Sequence, residues 1–361
     1  MHKTLAIEGV FSELQIVVAA SKKPTQKEMR KKVSISDIAK EAGVSIATVS
    51  YVLNGMAREK RVSEPVAKRI LSASERLEYQ PSHLARSLRS GSTKTIGLVV
   101  ADIANDFFGD LAKAIEVEAY KHGYSVIFAS SDEDMDKSSM LTETLINRQV
   151  DGLIITPVSE SHGQIERLSG QLPLVMVDRY LDNDDLNYVK LDNQAATFDA
   201  VSHLHQRGFK KIGIIGYKTS MLHIRDRFQG YVNGLTEYFS GSEPLIGEVR
   251  YDKIEQDISK TLDQFIEKKK VDALIFATNS LTIAGLYYCL KKNIRVPDQL
   301  AIIGFDGNFS FDFFYAPLTY IAQPVKEMGI AAVNILLKKM GQQVVSEQKE
   351  FQHKLIIRES T

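Results

Sequence analysis

One cysteine, Cys289, stands in 361 residues, so no intramolecular disulfide can form. It sits in A-G-L-Y-Y-C-L, where a thiol serves as a small buried apolar group. No Cys/His cluster has the spacing of a zinc site. No apolar run approaches the ~18 residues of a membrane-spanning helix, so no membrane partner is expected. The apolar stretch 5–20 has the look of a secretion leader. Glu8 and Glu13 interrupt it, and no unbroken apolar segment precedes Ala19-Ala20. A cytoplasmic protein is therefore expected. Residues 1–32 join no later pattern, and Met29 is an alternative start. Enzyme signatures are also missing. G-I-I-G at 213–216 lacks the G-x-G-x-x-G that lets backbone approach a pyrophosphate. No P-loop, H-E-x-x-H or Ser-His-Asp order occurs, and the eight histidines share no frame. Neither an enzyme nor a cofactor is expected.

Net charge is also lacking, at zero overall, but the charge is unevenly spread. Residues 29–95 carry 13 Lys and Arg against 6 Asp and Glu. Residues 96–361 are acidic by a balance of −8. A basic end on an acidic body is the asymmetry of a nucleic-acid-binding head, although a surface bias alone could produce it.

The basic end reads V-S-I-S-D-I-A-K-E-A-G-V-S-I-A-T-V-S-Y-V-L-N-G from Val33. Ser36 is expected to cap a helix starting at Asp37, with Ile38, Ala39 and Ala42 inward and Gly43 as its left-handed stop. Ser45 then caps a second helix that turns Val49, Val52 and Leu53 inward and ends at Asn54-Gly55. Two short helices about a glycine turn make a helix-turn-helix unit. A third helix begins at Ser63 and carries the stripe Val66, Ile70, Leu71, Ser74 and Leu77. In such a unit the second helix enters the major groove with its first residues at the base edges. Its outward residues are Ser45, Ile46, Ala47, Thr48, Ser50 and Tyr51, with Asn54 at its end. Ile46 and Ala47 can touch a thymine methyl, and Tyr51 can reach a base edge or a phosphate. A helical hairpin used for protein contact is the plainer alternative, disfavoured by the local positive charge.

From Thr95 the pattern changes to apolar strand runs alternating with helices. The runs are 95–100, 124–129, 150–156, 172–178, 211–216, 271–277 and 300–306. They imply α/β architecture with doubly wound parallel sheets. The pattern repeats: I-G-L-V at 96 matches I-G-I-I at 212, V-D-G-L-I at 150 matches V-D-A-L-I at 271, and V-M-V-D matches I-G-F-D. Two similar lobes should enclose a cleft at the carboxyl ends of their strands, where open α/β sheets bind ligands. Asp102, Asn105, Asp178, Arg179, Asp192, Asn193, Thr278, Asn279 and Asp306 gather at those ends, with Phe107 and Phe108 beside the first. Carboxylates, amides and an arginine with an aromatic platform suit a sugar. Each Asp or Asn taken singly is more often a helix cap.

These segments together resemble the LacI/GalR family of transcriptional regulators. The resemblance runs from residue 33 to the end. It is carried by S-D-I-A-K-E-A-G-V-S-I-A-T-V-S-Y-V-L-N-G, R-V-S, L-E-Y-Q-P-S-H-L-A-R-S-L, T-I-G-L-V-V-A-D-I-A-N-D-F-F, V-D-G-L-I-I, V-K-L-D-N, R-F-Q-G-Y and V-P-D-Q-L-A-I-I-G-F-D. It implies a helix-turn-helix domain over 33–80, a hinge helix over 81–92 and a two-lobed, periplasmic-binding-protein-like body over 93–361. Lobe 1 is expected at about 93–192 plus 320–335, and lobe 2 at about 193–319 plus 336–361. It further implies a homodimer on a pseudo-palindromic double-stranded DNA operator. The resemblance places Ile46, Ala47 and Tyr51 at base-reading positions. It places Ala85 and Leu88 in the hinge, flanked by Arg86 and Arg89 as phosphate contacts. Asp102, Phe107, Phe108, Asp178, Arg227, Asn279 and Asp306 fall at effector positions, and Asn105 and Arg179 join them as candidates. Arg227 is expected to grip ligand oxygens, with pairing to Asp192 as the alternative. Leu88 would wedge into the minor groove at the operator centre.

Three features depart from the family pattern. The loop G-M-A-R-E-K-R is longer, Ser82 stands where Asn is frequent, and Ser280 stands where Asp is frequent. No leucine-heptad tail follows I-I-R-E-S-T, so a dimer rather than a tetramer is expected. The small molecule, a sugar by this reading, would alter operator affinity. A protein corepressor is the alternative controller, and a solute-binding protein the alternative without DNA.

Overall fold

The computed structural model describes residues 33–79, 91–307, 309–341 and 346–361. The chain divides into two compact units, an N-terminal head and a larger C-terminal body.

The head is three helices, α1 (Ile35–Ala42), α2 (Ile46–Leu53) and α3 (Glu64–Arg76). Ser34, not Ser36, caps α1. Asp37 lies three residues beyond Ser34, so its carboxylate accepts from the Ser34 N–H at 2.8 Å while the Ser34 hydroxyl accepts from the Asp37 N–H at 3.3 Å. This reciprocal box is open to Ser34 alone. Gly43 stops α1 at φ +62°, and Ser45 caps α2 by accepting from the Thr48 N–H at 3.1 Å. Ile38, Ala39, Ala42, Val49, Val52, Ile70 and Ala73 form the small core. Leu71, expected inside, is 47% exposed, and Ala73 takes the inner position because it lies three residues beyond Ile70.

The body holds two six-stranded sheets of the same order. The first comprises β1 (Thr95–Val100), β2 (Ser125–Ser130), β3 (Gly152–Ile155), β4 (Leu174–Val177), β5 (Tyr188–Leu191) and β11 (Gln348–Phe351). The second comprises β6 (Ile212–Tyr217), β7 (Ile246–Val249), β8 (Ala273–Phe276), β9 (Ala301–Phe305), β10 (Thr319–Ala322) and β12 (Lys354–Ile356). Their orders are β11-β5-β4-β3-β1-β2 and β12-β10-β9-β8-β6-β7. β1 answers β6, β3 answers β8 and β4 answers β9, the three pairs the sequence repeat links. All neighbours run parallel except β12, which lies antiparallel to β10. β2 is an edge strand and only half-buried, with Phe128 40% exposed, unlike the buried strands β3 and β4.

The chain crosses between lobes three times, and two crossings differ from expectation. β10 pairs with β9, setting Tyr320 opposite Gly304, so residues 320–322 belong to the second lobe. Helix α11 (Val325–Met340) then packs on the first lobe. Met328, Ala332, Val333 and Leu336 share one core with Ile96, Leu98 and Ile115. That apolar face continues through Leu336, so the lobe cannot end at 335. β11 stays in the first sheet beside β5, and the last crossing follows Phe351. Thus 336–351 belong to lobe 1. The remaining α-helices among the described residues are α4 (Asp106–Lys121), α5 (Met135–Asn147), α6 (His162–Ser169), α7 (Asn193–Gln206), α8 (Leu222–Tyr238), α9 (Ile254–Asp263) and α10 (Asn279–Lys292), with a single helical turn at Ser310–Phe313. Among the described residues no helix is long and apolar enough to cross a membrane.

Candidate functional site

The head presents one face of α2. Val49 and Val52 anchor it inward, which leaves Ser45, Ile46, Ala47 and Asn54 exposed and Thr48, Ser50 and Tyr51 half-exposed. Ile46 is 50% exposed, large for an apolar residue on so small a unit. Asn54 caps the helix end and donates from Nδ2 to the Ser50 carbonyl at 2.5 Å. The hinge candidates Ala85, Arg86, Leu88 and Arg89 lie outside the described residues.

In the body a polar cleft lies at the carboxyl ends of the strands of both sheets. The first lobe supplies Asp102, Asn105, Phe107, Phe108, Glu133, Asp178 and Arg179 to its walls. The second supplies Tyr217, His223, Arg227, Tyr251, Thr278, Ser280 and Asp306. Eight of the nine sequence-predicted effector residues line it. Asn279 is the exception. It is buried behind the wall, and its Nδ2 donates to the Asp306 backbone carbonyl at 2.6 Å, so it positions Asp306.

Asn105 is both wall and cap, its side chain accepting from the Phe107 N–H at 3.1 Å. Phe107 and Phe108 are mostly buried and meet edge to face at 5.1 Å. Arg179 lies 5.9 Å from the Phe108 ring centre and forms a two-pronged pair with Glu133. Arg227 is 2% exposed. Its Nε donates to Asn193 Oδ1 at 2.7 Å, Nη1 donates to the Ala277 carbonyl at 2.6 Å, and its guanidinium stacks on Phe305 at 3.5 Å. Asp192, its expected alternative partner, instead caps α7 by accepting from the Ala195 N–H. Arg227 is thus held by neutral groups, with its charge directed at the cleft carboxylates.

Those carboxylates, Asp178 of the first lobe and Asp306 of the second, both adopt left-handed backbone, at φ +68° and +56°. One side-chain amide joins them: Gln323 Nε2 donates to Asp306 at 2.9 Å and to Asp178 at 3.3 Å. Gln323 sits between β10 and α11, on the second crossing. Burial raises the Asp178 carboxyl against the pull of Arg227 and Arg179. Burial also pushes Asp306 up to about 7, against the pull of Arg227, and Asp178 adds to the rise. Burial drives the His223 imidazole well below its usual range, and the nearby Arg179 and Arg227 reinforce this, so it is neutral. Its Nδ1 has no hydrogen-bond partner.

Three further contacts tie lobe to lobe. Tyr251 donates to Asp102 Oδ2 at 3.1 Å, the Ser159 and Thr219 hydroxyls meet at 2.9 Å, and Tyr180 donates to Asp226 at 2.5 Å. The sequence reading missed Glu133, Tyr217, His223, Tyr251 and Gln323. Tyr217 and Glu133 follow strand runs that were read, so position could have exposed them. Tyr251 and Gln323 follow β7 and β10, which were not read.

The geometry agrees with comparisons to known proteins. Residues 34–82 match the bacterial regulatory proteins of the lacI family, and residues 201–361 match the periplasmic binding protein-like domain. Catabolite control protein A of Priestia megaterium is 32% identical over 337 residues, covering 91% of this chain and 99% of that protein. The HTH-type transcriptional repressor CytR of Escherichia coli (strain K12) is 31% identical over 334 residues, covering 91% and 96%. A lac repressor dimer bound to operator and the anti-inducer ONPF aligns with TM-score 0.80 over 92% of this chain and 99% of that one. Its identity is 22%, which speaks to fold alone. A periplasmic binding protein/LacI transcriptional regulator from Alkaliphilus metalliredigens QYMF, complexed with D-xylulofuranose, aligns with TM-score 0.66 at 26% identity, covering 74% and 99%.

Proposed function

The chain belongs to the lacI family of bacterial regulatory proteins, DNA-binding transcriptional repressors with a ligand-binding domain, and from that premise we propose that a sugar in the body's cleft sets its affinity for an operator. The observation that carries the ligand reading is the facing of Asp178 and Asp306 across the lobes, with Arg227 between neutral partners and Phe107 and Phe108 on the wall. Sugar hydroxyls each need a donor and an acceptor, and an apolar ring face needs an aromatic one. The D-xylulofuranose held by the related regulator supports the same class.

On the DNA side, Ser45, Ile46, Ala47, Thr48, Ser50, Tyr51 and Asn54 face the major groove. Ala85, Arg86, Leu88 and Arg89 form the hinge that enters the minor groove. A homodimer in the cytoplasm presents two such heads to a pseudo-palindromic site. Ile283, Tyr287 and Leu290 support dimer formation, as an exposed apolar stripe at helical spacing on α10.

Because the cleft is built from both lobes, a ligand that fits one lobe geometry better shifts operator affinity by that difference, typically ~5–150-fold. The test is operator binding by the full chain with and without a panel of sugars, alongside calorimetry. Arg227→Met should lose the sugar response and keep operator binding. A sugar that binds without changing operator affinity sinks the switch. A panel in which no sugar binds, while a protein partner changes operator affinity, establishes the corepressor alternative instead.

A further inference from the structure

A second chamber opens beside the cleft and shares Glu133, Arg179, Tyr217, His223 and Tyr251 with it. Ser159 of the first lobe and Lys218 and Thr219 of the second complete its polar lining. Met221 and Ile224 also line it, so the chamber lies at the N-terminus of α8. That helix runs 17 residues from Leu222, and no side chain caps it, because Met221 holds the cap position. Its first-turn N–H groups therefore have no capping acceptor, and the helix dipole adds positive potential there.

Three side-chain nitrogens point to the same chemistry. His223 is only 5% exposed, yet its Nδ1 has no partner. The Nε of Arg179 is likewise buried without a hydrogen bond, its carboxylate neighbour Asp178 Oδ2 standing 3.9 Å away. Lys218 is exposed, and no carboxylate pairs with it among the described residues. The one carboxylate on the chamber wall, Glu133, is engaged by both terminal nitrogens of Arg179. An uncapped helix start beside one unpaired ammonium, Lys218, and an unsatisfied buried imidazole is the setting of an anion site, and phosphate has the oxygens to meet several donors at once.

We propose that this chamber receives the phosphate of a phosphorylated sugar whose ring occupies the cleft. The proposal rests on the sugar reading of the cleft and narrows it to a ligand class. Deep burial alone would explain a neutral His223, but it does not explain why the uncapped helix and Lys218 meet at the same place.

The experiment is calorimetry on the full chain with neutral hexoses, the matched hexose monophosphates and inorganic phosphate, repeated with Lys218→Glu. Lys218 lines the chamber and not the cleft, so neutral-sugar affinity should stay within about threefold in the variant. A monophosphate that binds about tenfold or more tighter than its neutral hexose, with that preference lost in Lys218→Glu, supports the chamber. Inorganic phosphate that binds the native chain and not the variant, while no hexose or monophosphate binds, supports the chamber and overturns the sugar reading. Neutral hexoses that bind as well as their monophosphates overturn the chamber and leave the sugar reading standing. A preference that survives Lys218→Glu also overturns the chamber.

Discussion

Replacing Asp306 with Asn should make the protein more stable at alkaline pH and leave it nearly unchanged at acid pH. Burial, with Asp178 across the lobes, pushes the Asp306 carboxyl from 3.8 to about 7. Between those values the folded protein holds a proton that the unfolded chain has released, so stability falls as pH rises through the window. A gap of about three pH units corresponds to a ceiling of ~4 kcal/mol, and water reaching the half-buried side chain reduces this to ~2 kcal/mol. Asparagine removes the charge and keeps the rest. Its amide oxygen can still accept from Gln323 Nε2, now 2.9 Å from Asp306, and Asn tolerates φ near +56° as well as Asp does. Asn279 bonds only the backbone carbonyl of residue 306, so that contact also persists. Thermal melts of both proteins at pH 5, 6, 7 and 8 give the test. At pH 5, about one unit into the window, the variant's body transition should already lie ~1–3 °C higher. The two transitions should separate further until the variant melts ~4–8 °C higher at pH 8. Some slope should remain in the variant, because burial also raises Asp178. Melting curves that stay parallel from pH 5 to 8 would refute the reasoning, since a carboxylate already ionised at pH 5 has nothing to release.

Gly230→Ala should cost ~3 kcal/mol or prevent folding, read by the same melts. A Cβ there would lie 2.1 Å from the Gln194 carbonyl and 2.2 Å from Thr197 Oγ1, forcing α8 off α7. Ser34→Ala should destabilise the head by ~1 kcal/mol, seen as faster amide exchange in α1, while Ser36→Ala should not. Leu88→Ala should weaken operator binding and reduce DNA bending, with ligand affinity intact. Survival of both bending and affinity would exclude the wedge.

The parts of the fold that show in the sequence are those whose burial forces a pattern. β1, β3, β4, β6, β8 and β9 lie inside their sheets and read as unbroken apolar runs. Burial on both faces leaves polar residues no place there. The strands that escaped reading lie toward the sheet margins or alternate. Y-V-K-L in β5 turns every second residue outward, and Q-K-E-F in β11 keeps three of its four residues exposed. The misplaced lobe boundaries follow from this. Without β10 and β11, nothing in the sequence marks where the second and third crossings fall. In the head, Ser34 and Ser36 were equally good caps by type, and only the reach of Asp37 back to Ser34 separates them.

The site divides along the same line. Asp178 and Asp306 stand directly after strands that burial makes readable, and Asp102 one residue further on, so their shared location followed from the repeat. Asn279 stands in an equivalent place, yet its amide turns to the Asp306 carbonyl, because the left-handed turn after β9 brings that oxygen to it. Residue type and position were right for a ligand contact, but the partner was a backbone atom that no sequence pattern displays. Gln323 is the opposite case. Nothing in I-A-Q-P-V marks a binding residue, since its position matters only where the chain passes between lobes. There its single amide reaches one carboxylate of each lobe. A change in the angle between the lobes must alter one of those two bonds. The second crossing is therefore where the cleft's electrostatics and the lobe geometry are joined, and a ligand hydroxyl that replaces the amide at either carboxylate acts on both.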